Sequence, residues 1–192
     1  MLTKSFLFTY QADMKRLLRN PPLVKMPTTT EKSIKRKISS VVELLKTCAK
    51  RKDLCEGAKL HADILDECLL EKSPYIPSTL IHMYAKCGEL GKAKEVLQDL
   101  HVRDVVSWSA LIAGYAQQRK GHEALECFGK MEKEGVFPNE VTFICILKAC
   151  GNIGASEKGK QIHYEIVRRG LLEKNIVLGN ALLNMYAKCG ML

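Results

Sequence analysis

The sequence has 192 residues with a formal net charge of +9, and 46% of its residues are hydrophobic but only 6% are aromatic. This length and composition can bury a core made mainly of aliphatic side chains. No run of about 18 apolar residues occurs, which argues against a transmembrane helix, and no apolar secretory signal precedes the eight cysteines, so we expect free thiols.

Residues 1–37 form a basic N-terminal segment. It contains nine basic and two acidic residues, which leaves a net charge of only +2 for residues 38–192. Apolar residues between Leu2 and Leu18 recur every three or four positions, as on one helix face, until Pro21 ends the pattern. This pattern is typical of an organelle transit peptide followed by a linker, and a disordered basic tail is the alternative. The whole-chain charge is therefore no proof of nucleic-acid binding.

From residue 38 onward the chain repeats itself with an offset of 102 residues. The hexapeptide MYAKCG occurs at 83–88 and again at 185–190. The same offset aligns EGAKLH at 56–61 with KGKQIH at 158–163, and no gap is needed. One register that extends over this range indicates an internal duplication.

Residues 105–139 show how the long period divides. Apolar residues recur at helical spacing up to Tyr115, a polar stretch at 117–121 interrupts them, and a second apolar stripe begins at Ala124. Gly135 and the proline that follows it favour the end of this second helix. The pattern predicts a helix–turn–helix unit of 35 residues. The same pattern divides the rest of the chain into further units, which are 38–73, 74–104, 140–175 and the incomplete 176–192.

The unit lengths of 36, 31 and 35 residues resemble those of the plant pentatricopeptide repeat proteins of the P-L-S subclass. VVSWSALIAGYAQ resembles the P motif, EVTFICILKACGN the L motif and NALLNMYAKCG the S motif. The resemblance assigns 38–73 and 140–175 as L units, 74–104 as an S unit, 105–139 as a P unit and 176–192 as a truncated S unit. It implies an all-α fold, an α-solenoid or superhelix of helix–turn–helix repeats, which binds single-stranded RNA in mitochondria or chloroplasts.

In this family the fifth and the last residue of a repeat select the base. Carried over, these positions are Ser78 with Asp104 in the S unit and Ser109 with Asn139 in the P unit. The carboxylate of Asp104 only accepts hydrogen bonds, which suits the N–H donors of guanine, whereas the amide of Asn139 both donates and accepts, which suits adenine. The family's polarity then predicts a 5′-GA-3′ step in the bound RNA.

The resemblance also marks weaker positions. Tyr75 and Val106, second in their units, are expected to wedge against bases. The other marked positions are Asn180 in the last unit and, in the L units, Val42, Ser73, Ile144 and Asn175. Base selection by the L units is weaker because Val42 and Ile144 cannot form hydrogen bonds through their side chains.

Two patterns mimic sites of other chemistry. GASEKGKQ at 154–161 resembles a phosphate-binding loop, but Gln161 stands where a hydroxyl residue should hold magnesium and no strand precedes it. HYE at 163–165 matches the His-x-Glu of zinc deaminases but lacks the later cysteine pair. No Cys-x-x-Cys occurs, and Trp108 falls within a helical apolar stripe, as a packing residue would. We therefore expect no cofactor, no metal and no catalytic residue.

The predicted function is that of a non-catalytic adaptor. It would bind single-stranded RNA sequence-selectively in organellar RNA processing or editing, with any editing or processing enzyme supplied in trans and without a membrane partner. The near-neutral charge of residues 38–192 leaves a protein–protein interaction scaffold open as an alternative. The incomplete last unit leaves a truncated, non-functional fragment open as another.

Overall fold

The computed structural model describes residues 28–173 and 175–191. Over these residues it contains nine α-helices and no strand. In chain order they are α1 (Thr28–Arg51), α2 (Leu54–Asp66), α3 (Tyr75–Cys87), α4 (Leu90–Asp99), α5 (Val105–Gln117), α6 (Gly121–Lys133), α7 (Glu140–Ile153), α8 (Ser156–Arg168) and α9 (Ile176–Lys188). The helical face predicted for residues 2–18 lies outside the described residues. None of the described helices is long and apolar enough to cross a membrane.

Contacts divide the chain into two units, Met1–Lys37 and Ile38–Leu192. Helix α1 begins at Thr28, within the segment interpreted as a transit peptide and linker. The residues from Glu31 to Lys37 are mainly Lys, Arg and Glu, which favour a helix, and Glu31 lies in the first turn, where a negative charge is favourable.

The helices of the second unit stack as a solenoid. Each of α3, α5 and α7 packs against the helix that follows it in the chain, and α3, α5, α7 and α9 also pack against one another in series. We call these four the first helices, because each opens a repeat. The all-α solenoid predicted from the sequence is therefore confirmed, and its first helices form one continuous layer.

Aliphatic residues at equivalent positions of the first helices form the core. The pairs Leu80–Ile81, Leu111–Ile112 and Ile146–Leu147 are almost completely buried. Complete burial of one such side chain stabilises the fold by about 1.5–3 kcal/mol. Trp108 is also buried, with its indole nitrogen unpaired, so its predicted packing role is confirmed.

The duplicated sequence packs in the same way twice. A Cβ atom at Gly57 would lie 2.5 Å from Sδ of Met83, and a Cβ atom at Gly159 would lie 2.5 Å from Sδ of Met185. Close contact of α2 with α3 and of α8 with α9 therefore favours glycine at these positions. The MYAKCG hexapeptide provides the methionine of each pair and ends α3 at Gly88, whose φ of 95° suits glycine. It is a structural element of the repeat.

The eight cysteines are free. Burial raises the pKa of the Cys127 and Cys150 thiols to about 11. These two side chains therefore stay protonated at neutral pH and serve as small packing groups.

Candidate nucleic-acid interface

A row of exposed apolar side chains crosses the starts of the four first helices. Tyr75 in α3 is 69% exposed and Val106 in α5 is 50% exposed. The structure adds Val141 in α7 and Val177 in α9, at 56% and 62%. Scattered apolar side chains are normal on a surface, but a row of them is typical of a binding surface. The sequence analysis missed Val141 and Val177, although the second position of every unit would have revealed them.

Three lysines lie further along the same helices. Lys86, Lys148 and Lys188 are exposed and follow the fifth residue of their unit by four or eight positions, which places them on one broad helix face. Lys86 donates to Oε1 of Gln117 at 2.7 Å, and Lys188 donates to Oδ1 of Asn152 at 3.2 Å. The low net charge of residues 38–192 gave no indication of these lysines. That they lie on one layer of helices becomes apparent only from the stacking of the first helices.

Ser109 and Asn139 form the first of two pairs that the structure places at repeat junctions, and we call this pair the Asn139 site. Asn139 is exposed and caps α7, where its Oδ1 accepts a hydrogen bond from the Thr142 backbone N–H at 2.9 Å. The Thr142 hydroxyl donates to the same Oδ1 at 2.9 Å and lies 2.6 Å from Oγ of Ser109. Ser109 is only 5% exposed. Its hydroxyl is therefore engaged within the protein, which differs from the open group expected for direct base contact.

The second pair is Ser78 with Asp104, which we call the Asp104 site. Asp104 caps α5, and its Oδ1 accepts from the Ser107 backbone N–H at 2.8 Å. The Ser78 hydroxyl donates to the Tyr75 carbonyl at 3.2 Å. Among the residues that the structure describes, no hydrogen bond joins Ser78 to Asp104. The two members of this pair are therefore oriented independently.

The weaker positions differ in their surroundings. Ser73 is buried and its Oγ accepts from the Tyr75 N–H at 3.3 Å, so its hydroxyl is not presented to a ligand. Asn175 caps α9 through the Leu178 N–H at 3.0 Å and donates to Oε2 of Glu140. Asn180 is exposed on α9. Val42 and Ile144 are half-buried and present only apolar surface.

Asp104 and Asn139 each line a cavity, and the two cavities differ in charge. The Asp104 site opens into a cavity of about 660 Å³ whose lining includes Glu71, Asp99 and Asp104. The Asn139 site opens into one of about 410 Å³ whose lining includes Glu140 and Arg169. The first cavity therefore has a surplus of carboxylates, whereas the second is lined by one carboxylate and one guanidinium.

Arg169 is held firmly at the edge of the Asn139 site. Its Nε donates to Oε1 of Glu165 at 2.7 Å, its Nη1 donates to the Pro138 carbonyl at 3.1 Å, and its guanidinium lies 5.3 Å from the centre of the Phe143 ring. Hydrogen bonds from Arg168 and from Arg169 lower the pKa of the Glu165 carboxyl to about 2. Glu165 is therefore ionised at neutral pH and holds Arg169 in place.

The histidine of the HYE motif has a structural partner. His163 Nδ1 and the Tyr186 hydroxyl lie 2.9 Å apart, and His61 and Tyr84 lie at the same distance in the duplicated unit. Burial lowers the pKa of His61. In residues 28–173 and 175–191, no group of three His, Cys, Asp or Glu side chains is arranged to hold a metal ion.

Comparison with known sequences agrees with this architecture. Residues 103–152 match the family described as "PPR repeat family", and residues 76–105 match the one described as "PPR repeat". A chloroplastic pentatricopeptide repeat-containing protein of Arabidopsis thaliana is 43% identical over 79% of this chain and 24% of its own length. A mitochondrial one from the same plant, named as putative, is 39% identical over 77% of this chain and 23% of its own length. The chain thus spans about a quarter of these relatives.

Solved structures show the same fold. The pentatricopeptide repeat protein PPR10 from maize superposes with a TM-score of 0.59 at 20% identity, over 79% of this chain and 22% of that one. PPR10 in complex with an 18-nucleotide psaJ RNA element superposes with a TM-score of 0.60 at 21% identity, over 85% and 26%. At this identity the likeness concerns the helical solenoid alone.

Proposed function

We propose that this chain, a pentatricopeptide repeat protein by its matched repeats, binds single-stranded RNA along its first helices. The observation that carries this function is the row formed by Tyr75, Val106, Val141 and Val177. A polar side chain that caps the same helix precedes three of these residues, namely Asp104, Asn139 and Asn175. Each junction thus offers an apolar surface for a base face beside a group that can form hydrogen bonds with a base edge.

The lysines of the first helices support an RNA ligand further. Phosphates carry one negative charge per nucleotide, and cations that neutralise them make binding dependent on salt. Lys86, Lys148 and Lys188 are exposed on these helices, seven or eleven residues beyond the row residue of the same helix. We expect the logarithm of the affinity to fall linearly with the logarithm of the salt concentration, with a slope of about −0.7 per phosphate contact.

We further propose that binding is sequence-selective. The carboxylate of Asp104 suits guanine and the amide of Asn139 suits adenine, so the preferred ligand contains a GA step read by units 74–104 and 105–139. These units, with 38–73, 140–175 and 176–192, follow the P-L-S order. The chain acts as a non-catalytic adaptor in organellar RNA processing or editing, and the enzyme is supplied in trans. Relatives named chloroplastic and mitochondrial support an organelle as its location.

A titration of the chain with short single-stranded RNAs tests this function. An oligonucleotide with a central GA step is compared, at fixed salt, with one in which that step is UC and with the same sequence as a duplex. We expect the single strand with GA to bind tightest and the duplex weakest. Equal affinity for all three, or no binding at low salt, would contradict RNA binding at this surface.

One observation favours a protein–protein interaction scaffold as a second function. Leu65 in α2 and Tyr164 and Val167 in α8 are exposed apolar residues on helices outside the first-helix layer. A partner protein could contact these helices without touching the row. Loss of a protein partner on Tyr164→Ser, with unchanged RNA affinity, would assign this surface to protein binding.

A further inference from the structure

We propose that Thr142 sets the hydrogen-bonding polarity of the Asn139 site. Through the Thr142 hydroxyl, Asn139 offers a base only N–H donors, while the Ser109 hydroxyl is held within the protein. The effect of Thr142 on base selection rests on the proposed RNA binding. The hydrogen bonds themselves are present in the protein without RNA. Thr142 is a positioning residue, because its side chain is completely buried and acts through its two neighbours.

The backbone fixes the orientation of the Asn139 amide. The Thr142 N–H donates to the Asn139 side chain at 2.9 Å, within a capping box in which both reciprocal bonds are present. A backbone N–H can only donate, so the side-chain atom that faces it must be the carbonyl oxygen. The two amide orientations of an asparagine are assigned from its hydrogen-bond network, and here the network permits one. The Nδ2 group therefore points away from the helix start.

Counting protons at Thr142 fixes the remaining hydrogen bonds. Its Oγ1 has three polar neighbours, the Asn139 N–H at 3.2 Å, Oδ1 of Asn139 at 2.9 Å and Oγ of Ser109 at 2.6 Å. A hydroxyl has one proton and two lone pairs. The N–H must donate and Oδ1 can only accept, so all three contacts are hydrogen bonds only if the Thr142 proton goes to Oδ1. The remaining lone pair then accepts the proton of Ser109.

This arrangement determines what a base can meet. Oδ1 of Asn139 accepts two hydrogen bonds from Thr142 and has no further lone pair, which leaves the two N–H donors of Nδ2 on an exposed side chain. The single Ser109 proton is used as well, so Ser109 can only accept. Because Thr142 is shielded from solvent, water does not compete for these bonds.

Donor-only character at Asn139 selects among the bases. Adenine and cytosine present an unprotonated ring nitrogen, which matches an N–H donor from Asn139. Guanine and uracil carry N–H at the corresponding ring nitrogen, so their donor would face the Asn139 donors. A base binds less tightly where its N–H donor faces another donor and finds no acceptor. The adenine preference proposed for this site therefore depends on the hydroxyl of Thr142.

The Asp104 site offers a matched control. Its third-position residue is Ser107, whose backbone N–H donates to Asp104 at 2.8 Å. Among the described residues, the Ser107 hydroxyl forms no hydrogen bond that links Asp104 with Ser78, whose own hydroxyl donates to Tyr75. Removing the Ser107 hydroxyl should therefore leave base selection at the Asn139 site unchanged.

Three variants test the role of Thr142: Thr142→Val removes the hydroxyl, Thr142→Ser keeps it, and Ser107→Ala is the control. Each is titrated at fixed salt with RNAs that carry A or G at the position read by Asn139. We expect Thr142→Val to lower the A-over-G affinity ratio roughly fivefold, the worth of about one hydrogen bond, with an unchanged salt dependence. The ratio should be retained in Thr142→Ser and in Ser107→Ala. An unchanged ratio in Thr142→Val would overturn the proposed role.

NMR of the unmodified chain tests the same hydrogen bonds without RNA. We expect a slowly exchanging hydroxyl proton at Thr142 and fast-exchanging side-chain amide protons at Asn139. Protected amide protons at Asn139 with a free Thr142 hydroxyl would overturn the arrangement. If the unmodified chain shows the expected protons but binds no RNA, the proposed function fails while the hydrogen-bond polarity stands. If Thr142→Val does not fold, the NMR result still tests the proposed hydrogen bonds of Thr142.

Discussion

The Asp104 and Asn139 sites occupy equivalent places in consecutive repeats and differ in their chemistry. Both residues cap a first helix by accepting a backbone N–H, at 2.8 Å and 2.9 Å. The cavity beside Asp104 is lined by carboxylates, whereas the cavity beside Asn139 is lined by one carboxylate and by Arg169. Asp and Asn are about equally good as helix caps. The fold can therefore exchange one for the other at little cost, and the exchange alters only what the junction offers a ligand.

The largest expected difference in RNA affinity is between substitution of Tyr75 and substitution of Val106, the row residues of units 74–104 and 105–139. Stacking of a base on an aromatic side chain is worth about 1–3 kcal/mol, and Val106 has no aromatic ring to offer. We expect Tyr75→Ala to weaken RNA binding tenfold or more, and Val106→Ala to weaken it less than threefold. Binding titrations at fixed salt measure both. Tyr164→Ala is the matched control, since Tyr164 is exposed to 71% and Tyr75 to 69%. Equal losses at Tyr75 and Tyr164 would show that the row does not contact RNA.

Removal of the caps should affect stability more strongly at Asn139. Asp104→Ala removes one capping hydrogen bond and should lower the free energy of unfolding by about 0.5–1 kcal/mol. Asn139→Ala also removes the acceptor of the buried Thr142 hydroxyl, so we expect a loss of about 1–2 kcal/mol. Denaturant unfolding of both variants gives the comparison. A larger loss for Asp104→Ala would contradict the capping network at Asn139.

The ion pairs of Glu165 beside the Asn139 site should contribute to the pH dependence of stability. The pKa of Glu165 is lowered to about 2 by Arg168 and Arg169, from the 4.5 of an unpaired glutamate. A lowered pKa gives stability that is present above 4.5 and is lost as the pH falls towards 2. Because these ion pairs are at the surface, the contribution is small. Glu165→Gln should flatten the decline in stability between pH 4.5 and pH 3, with Glu157→Gln on the same helix as control. If stability declines with falling pH in Glu165→Gln as it does in the unmodified chain, the ion pairs of Glu165 are not the source of the decline.

Helical periodicity made most of the fold predictable. The apolar stripes of 105–115 and 124–131 became α5 and α6, and Gly88 ended α3 in the left-handed conformation that glycine adopts easily. The places of Asp104 and Asn139 at the starts of helices follow from the same register. Local sequence was sufficient here because a solenoid repeat contacts mainly its neighbours.

The contacts between repeats were not predictable in the same way. Ser109 and Thr142 are 33 residues apart, and their 2.6 Å contact depends on how α5 stacks on α7. A periodic pattern predicts which face of a helix is buried but not which hydroxyl meets which across the interface. The burial of Ser109 was missed for this reason, and so was its contact with Thr142.

The exchange Asp104→Asn tests most directly whether a helix cap also selects the base. Stability and the position of α5 should be retained, because asparagine caps a helix as well as aspartate does. The measurement is the ratio of affinities for two RNAs that differ only in G or A at the position read by unit 74–104, at fixed salt. We expect the preference to move from G towards A while the free energy of unfolding changes by less than about 0.5 kcal/mol. An unchanged G-over-A ratio in a variant of unchanged stability would contradict base selection by the capping residue.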